Sequence, residues 1–186
     1  MSRFAIEQTP LPGLTRLERM PIGDSRGFLT RIFCHEELGQ AGWDGVIAQI
    51  NHTRTEKKGV VRGLHFQHPP YAETKIVTCL QGIIFDVAVD LRAGSSTLMR
   101  WHAEILSADN NRSLLIPPGF AHGFQTLSED CDLLYLHSVA YAPEAEDGIH
   151  PEDVAIAIEW PDPITELSER DAHHPFLPED FRGLTP

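Results

Sequence analysis

The sequence predicts an all-β protein, a sandwich or barrel of eight or more short strands with only a few short helices. Three observations carry that expectation. Short apolar or β-branched runs recur at a spacing of about ten residues. Turn-forming clusters separate them: His68-Pro69-Pro70, Ala93-Gly94-Ser95-Ser96, Ala108-Asp109-Asn110-Asn111 and Pro117-Pro118-Gly119. No long segment shows the 3.6-residue periodicity of an amphipathic helix.

Taken in chain order, a short helix is expected over 34–41. Strands are expected over 59–66, 75–80, 83–91, 101–106, 113–116, 123–127, 132–138 and 154–160, and a helical turn over 167–172. The clearest strand follows Gln81-Gly82. There Phe85, Val87, Val89 and Leu91 share one face, and Asp86, Ala88 and Asp90 take the other. A polar face of that kind either lines a ligand-binding interior or meets water. The whole chain, 1–186, is expected to form one domain, with a core over about 20–160 and a C-terminal extension over 161–186.

Composition narrows the function. The 186 residues carry 15 Lys plus Arg and 27 Asp plus Glu, a formal charge of −12. That charge argues against a nucleic-acid polymer as partner. It is unevenly placed: residues 1–128 sum to +1 and residues 129–186 to −13. Cys34, Cys79 and Cys131 are widely spaced and form no CxxC, which reads as reduced thiols. The first residues show no apolar run fit for a signal peptide, and no stretch approaches a membrane span, so a cytoplasmic location is expected.

Pro117-Pro118-Gly119-Phe120-Ala121-His122 fits P-x-G-x-x-H, half of the pattern by which cupin jelly rolls place metal ligands. The other half is altered. Gly59 and His65 fit, but Gln67 stands where a second His would be, and Lys75, seven residues before Gly82, where a Glu would be. A protonated lysine offers no lone pair and repels a divalent ion, so no metal is expected. A cation beside a histidine suits a different task, abstraction of a proton next to a carbonyl, with the ammonium stabilising the enolate oxygen.

Five separated motifs extend this. They are Asp24-Ser25-Arg26-Gly27-Phe28, Val61-Arg62-Gly63-Leu64-His65-Phe66-Gln67, Phe85-Asp86-Val87-Ala88-Val89-Asp90-Leu91-Arg92, Ile116-Pro117-Pro118-Gly119-Phe120-Ala121-His122-Gly123-Phe124, and Tyr141-Ala142-Pro143-Glu144 followed by Gly148-Ile149. Together, over about residues 20–175, the chain resembles the dTDP-4-dehydrorhamnose 3,5-epimerases. The resemblance implies a homodimeric cupin-type jelly roll. It also implies a cofactor-free isomerase that inverts the two carbons flanking the C4 ketone of a nucleotide-linked 4-keto-6-deoxy sugar. His65 matches the family's base, Asp171 the carboxylate that orients it, Lys75 the cation at the keto oxygen and Tyr141 the proton donor on the opposite face. Arg26 and Arg62 match diphosphate or sugar contacts, Gln49 and Asn51 nucleotide-side contacts, and Phe28 an aromatic packed near the base. His122 and Asp86 match pocket-lining groups, and Glu144 is expected on the substrate-binding side. The nearest alternative is a 3- or 5-monoepimerase of another deoxysugar pathway. A metal-dependent cupin or a non-catalytic sugar-binding cupin is more distant.

One feature of the strand pattern conflicts with these roles. Strict alternation puts Arg62 and His65 on opposite faces, so a bulge is needed if both meet the substrate, and Gly63 would permit it.

Overall fold

The computed structural model describes residues 2–185. Thirteen strands and two short helices occur in the order β1 (Phe4–Gln8), β2 (Thr15–Arg19), β3 (Ile22–Asp24), β4 (Gly27–Leu29), α1 (His35–Gly39), β5 (Gln49–Thr55), β6 (Val61–Gln67), β7 (Lys75–Gln81), β8 (Ile83–Asp90), β9 (Trp101–Ser107), β10 (Arg112–Ile116), β11 (Phe120–Thr126), β12 (Cys131–His137), β13 (Glu146–Gly148) and α2 (Glu169–Ala172). A six-stranded sheet, β1-β2-β10-β7-β12-β5, faces a five-stranded sheet, β13-β6-β11-β8-β9, and β3-β4 stands apart as a hairpin. Every strand pairing within these sheets is antiparallel, and the two large sheets form a jelly-roll sandwich. Among the described residues no helix is long and apolar enough to cross a membrane.

The sandwich interior is divided into an apolar and a polar zone. Val77, Cys79, Leu114, Ile116 and Leu133 of the larger sheet meet Ile84, Ala88, Leu106, Phe120 and Phe124 of the smaller one in the main core. Both outer faces are covered as well. The α1 region packs Leu38, Ala41 and Trp43 on Leu17, Ile76, Leu115 and Leu136. The chain after β13 lays Ile149, Ile156, Ile158, Trp160, Leu177, Phe181 and Leu184 over Val87, Val89 and Leu91. The apolar face of β8 therefore lies beneath the C-terminal segment, and its Asp86 face points inward, fully buried.

Residues 154–160, expected to be a strand, form turns and extended chain without strand pairing. The alternation there serves packing: Ile156, Ile158 and Trp160 rest on the smaller sheet. Asp153 Oδ1 accepts the N–H groups of Ala155 and Ile156, and the Trp160 indole donates to the Pro151 carbonyl. The two Asp153 bonds occupy backbone donors that a ladder would need. The expected helix at 34–41 is α1, and that at 167–172 is α2. β1 to β5 and β13 had no counterpart in the sequence reading. β5 alternates polar side chains, and the hairpin is exposed along its length, so neither presents the apolar stripe on which strand recognition depends.

The expected irregularity in β6 is present. His122 pairs with His65 and Phe124 with Arg62, so three steps along β6 oppose two along β11. Gly63 sits at φ +122°, where a Cβ would lie 2.6 Å from Gly123 Cα and 2.7 Å from the His122 carbonyl oxygen. Both the dihedral and the close approach require glycine. Gly63→Ala is expected to lower the unfolding free energy by more than about 1 kcal/mol, read as a fall in the urea midpoint at unchanged m-value.

Candidate active site

The polar zone of the interior opens as a pocket of about 380 Å³. Alternation fills it from two sides. Gln49, Asn51 and Thr53 of β5, Lys75 of β7, and Tyr135 and His137 of β12 project from the larger sheet. His65 and Gln67 of β6, and His122 and Phe124 of β11, project from the smaller one. The β6 bulge brings Arg62 to the same lining.

His65 Nε2 lies 2.7 Å from Asp171 Oδ1, and the other Asp171 oxygen accepts the Gly63 N–H at 3.1 Å. Asp171 also serves its own helix, where its N–H donates to the hydroxyl of the capping residue Ser168. Burial pushes the Asp171 carboxyl up. The His65 hydrogen bond and charge, the Gly63 N–H and the Ser168 hydroxyl outweigh it and bring it down to about 2. Ionised Asp171 thus accepts the Nε2–H and leaves the other ring nitrogen with the lone pair. Arg170 Nη2 lies 3.0 Å from the same His65 Nε2, and its Nη1 donates to Glu146 Oε2 at 2.7 Å. A ring that donates to Asp171 has no lone pair left at Nε2, so Arg170 acts there as a neighbouring positive charge.

The Tyr141 hydroxyl donates to the same Glu146 Oε2 at 2.7 Å. That bond, ahead of burial, raises the phenol above its ordinary value, so it keeps its proton at neutral pH. Two glutamines fasten the Tyr141 loop: Gln49 Oε1 accepts the Tyr141 N–H at 3.0 Å, and Gln67 Oε1 accepts the Ala142 N–H at 2.7 Å. Gln67, at a metal-ligand position of the cupin pattern, is here a brace for the loop that carries Tyr141.

Lys75 is buried, its Nζ 3.0 Å from Glu73 Oε1. His122 Nε2 lies 2.8 Å from Asp86 Oδ1. Burial raises the Asp86 carboxyl despite that partner, and Asp86 Oδ2 has no hydrogen bond. His65, Asp171 and His174 place one ligand-type atom each within 4.8 Å of one another, the arrangement among the described residues best able to hold a metal ion. The Arg170 guanidinium, 3.6 Å from Asp171 Oδ1 and 3.0 Å from His65 Nε2, would repel a cation there.

Of the residues singled out from the sequence, His65, Asp171, Lys75, Tyr141, Gln49, Asn51, Arg62, His122 and Asp86 come together at this pocket. Arg26, Phe28 and Glu144 do not. Arg26 and Phe28 sit on the β3-β4 hairpin, Arg26 paired with Asp24 and Phe28 72% exposed. Glu144 is exposed on the loop after Tyr141. Sequence reasoning missed Glu73, Tyr135, His137, Glu146 and Arg170. A signal existed for two of them, because Tyr135 and His137 share one face of a strand that was recognised. Glu146 opens the three-residue β13 and Arg170 lies in the four-residue α2, elements too short to carry a periodicity.

The arrangement gathers a carboxylate-paired imidazole, a protonated phenol and an ammonium around one small polar chamber. A model of the dTDP-4-dehydrorhamnose 3,5-epimerase family matches residues 8–179. A dTDP-4-dehydrorhamnose 3,5-epimerase of Salmonella typhimurium is 44% identical over 172 residues, 91% of this chain and 93% of that protein. A crystal structure of dTDP-6-deoxy-D-glucose-3,5-epimerase from Legionella pneumophila, in complex with dTDP-4-keto-L-rhamnose, superposes with a TM-score of 0.88 at 39% identity, covering 93% of this chain and 92% of that one. A 3'-monoepimerase from Streptomyces bikiniensis in complex with dTDP-quinovose superposes at 0.85 with 34% identity, covering 91% and 86%.

The depressed Asp171 carboxyl has a consequence for stability. A carboxylate pulled down from about 4 in the unfolded chain to about 2 when folded contributes about 2 kcal/mol above pH 4, lost as pH falls toward 2. Asp90, also held at about 2, falls in the same window. In acid titrations of the unfolding free energy, Asp171→Asn is therefore expected to shallow the fall between about pH 4 and pH 2 without abolishing it.

Proposed function

The chain belongs to the dTDP-4-dehydrorhamnose 3,5-epimerase family, and from that premise we propose that it inverts C3 and C5 of a dTDP-4-keto-6-deoxyhexose, His65 acting as base and Tyr141 as acid. It is an enzyme of the carbohydrate epimerase type. The observation that carries the assignment of roles is the pocket itself, with the His65–Asp171 pair, the Lys75 ammonium and the Tyr141 phenol around one chamber.

The keto group acidifies the hydrogens on both neighbouring carbons. His65 takes one of them on the ring nitrogen not bonded to Asp171, and Asp171 stabilises the imidazolium that results. The electron pair moves onto the keto oxygen, where Lys75 meets the developing charge. Inversion requires the proton to return from the other face, and Tyr141 delivers it there. Once solvent has taken the proton from His65 and restored the Tyr141 phenol, the same steps at the second carbon give the doubly inverted sugar. Arg62 supplies positive charge for the diphosphate, while the Gln49 and Asn51 amides are turned to the Tyr141 N–H, to each other and to His137.

Arg26 and Phe28 stand outside the pocket of their own chain, so their contact with substrate requires a second copy. The exposed apolar residues Ile22, Phe28 and Leu29 on that hairpin support a homodimer in which one protomer's hairpin faces its partner's pocket. Arg26→Ala is then expected to raise KM for the dTDP-sugar several-fold with kcat little changed in steady-state assays.

Incubation with the dTDP-4-keto-6-deoxyhexose in D2O tests the assignment. Deuterium should enter at both C3 and C5. Incorporation at C3 alone would make the protein a monoepimerase, and none at either carbon would sink both readings. His65→Asn should slow exchange roughly 10²–10⁴-fold. Tyr141→Phe should retain exchange while product formation is lost.

A further inference from the structure

Two groups on the pocket wall, Glu73 buried and His137 half-buried, have no task in this scheme. Glu73 lies two residues before Lys75, and His137 ends β12 directly across the ladder from it. Glu73 Oε1 lies 3.0 Å from Lys75 Nζ, and Glu73 Oε2 lies 2.7 Å from His137 Nδ1. His137 Nε2 is 3.4 Å from Asn51 Nδ2. An amide nitrogen only donates, so Asn51 donates to Nε2, and the ring proton sits on Nδ1 and is donated to Glu73. Tyr135 stacks on the His137 ring at 6.0 Å with planes 15° apart, which sets the ring's orientation. Asn51, His137, Glu73 and Lys75 thus form one hydrogen-bonded chain, anchored on β5, in which Glu73 accepts from His137 on one oxygen and from the Lys75 ammonium on the other.

The chain has a physical use in enolate chemistry. A lysine has four rotatable bonds and a compact, strongly hydrated charge. When a sugar fills the pocket and displaces water, an unpartnered ammonium tends to lose its proton or swing away. A carboxylate at 3.0 Å keeps it charged and aimed. The same carboxylate would cancel much of its field, and the His137 N–H counters this by drawing charge toward the far Glu73 oxygen. Burial raises Glu73, but Lys75 and His137 together hold it below its usual range, so it is ionised. As a stabilising device alone such a buried polar chain would be a poor choice, because well-packed apolar groups serve as well or better.

We propose that Glu73 and His137 are positioning residues for the epimerisation, holding the Lys75 ammonium charged and directed at the substrate's keto oxygen. The proposal rests on the reading of Lys75 as the enolate partner, and the test separates the two.

The full-length protein is assayed with the dTDP-4-keto-6-deoxyhexose for kcat, KM and deuterium exchange, and each variant is also melted. Lys75→Met should lose at least a hundredfold in kcat. Glu73→Gln should lose about tenfold or more in kcat with KM within threefold, because the amide keeps the shape and removes the charge. Combined with Lys75→Met, Glu73→Gln should cost nothing further, within twofold. His137→Asn, whose amide nitrogen can replace Nδ1, should stay within threefold of the native rate, whereas His137→Phe should fall as far as Glu73→Gln. Losses that multiply in the double variant, or that follow the melting temperature, would assign the pair a purely structural role and overturn the proposal. So would Glu73→Gln and His137→Phe with native kcat beside an inactive Lys75→Met. A folded Lys75→Met variant with native kcat would instead overturn the reading of Lys75 itself, and the proposal with it.

Discussion

One carboxylate holds the site together. Asp171 accepts the Gly63 N–H with one oxygen and meets His65 with the other, while its own N–H starts α2. The β6 bulge takes the Gly63 N–H out of the regular ladder, and a buried donor left unpaired would cost about 1–3 kcal/mol. Asp171 satisfies it and, at the same time, fixes the tautomer of His65. The bulge in turn is what lets Arg62 join His65 on the inner face. Three things follow from one contact: an irregular strand is made tolerable, a histidine is oriented, and the C-terminal segment is tied to the sheet it covers.

The second constraint is the zoning of the interior. Two inward-facing rows of side chains run from apolar to polar along the strand: Leu133, Tyr135 and His137 on β12, and Cys79, Val77 and Lys75 on β7. The apolar end supplies the core that holds the sheets together, and the polar end pairs its charges. Three imidazole–carboxylate contacts line or underlie the pocket: His65–Asp171, His122–Asp86 and His137–Glu73. Charge buried at this density is tolerable because the partners lie within hydrogen-bonding distance. It also explains how a protein of formal charge −12 can receive an anionic substrate. Arg62, Lys75 and Arg170 are concentrated at one chamber, and exposed acids elsewhere are screened over about 8 Å at physiological salt.

Much of this was legible beforehand, and the reason differs by residue. His65 and His122 stand at fixed offsets from glycines in the cupin pattern, so the motif singles them out, while their pairing across the neighbouring strands β6 and β11 belongs to the folded sheet. Lys75 was legible as a departure, a cation where a metal ligand would stand. The inward face of β8 could be read as polar, but whether it met water or a pocket could not, because that depends on what lies across from it. Glu146 and Arg170 were illegible because they sit on β13 and α2, elements of three and four residues that meet only in the folded chain. Residues 154–160 misled for the converse reason: an alternating pattern records which side chains face a surface, and a segment lying on a sheet alternates as readily as one within it.

By itself the sequence determined the β class, the principal strands from β6 to β12, the family of the chain and the chemical types gathered at the site. Periodicity and motif spacing are local properties, and a strand's two faces are set by its own residues. Tertiary structure alone decided which polar groups pair. Hydrogen-bond partners such as Asp171 with Gly63, or Glu73 with Lys75 and His137, depend on distances of a few ångströms between elements up to 108 residues apart. Those distances are fixed only when the two sheets close on one another.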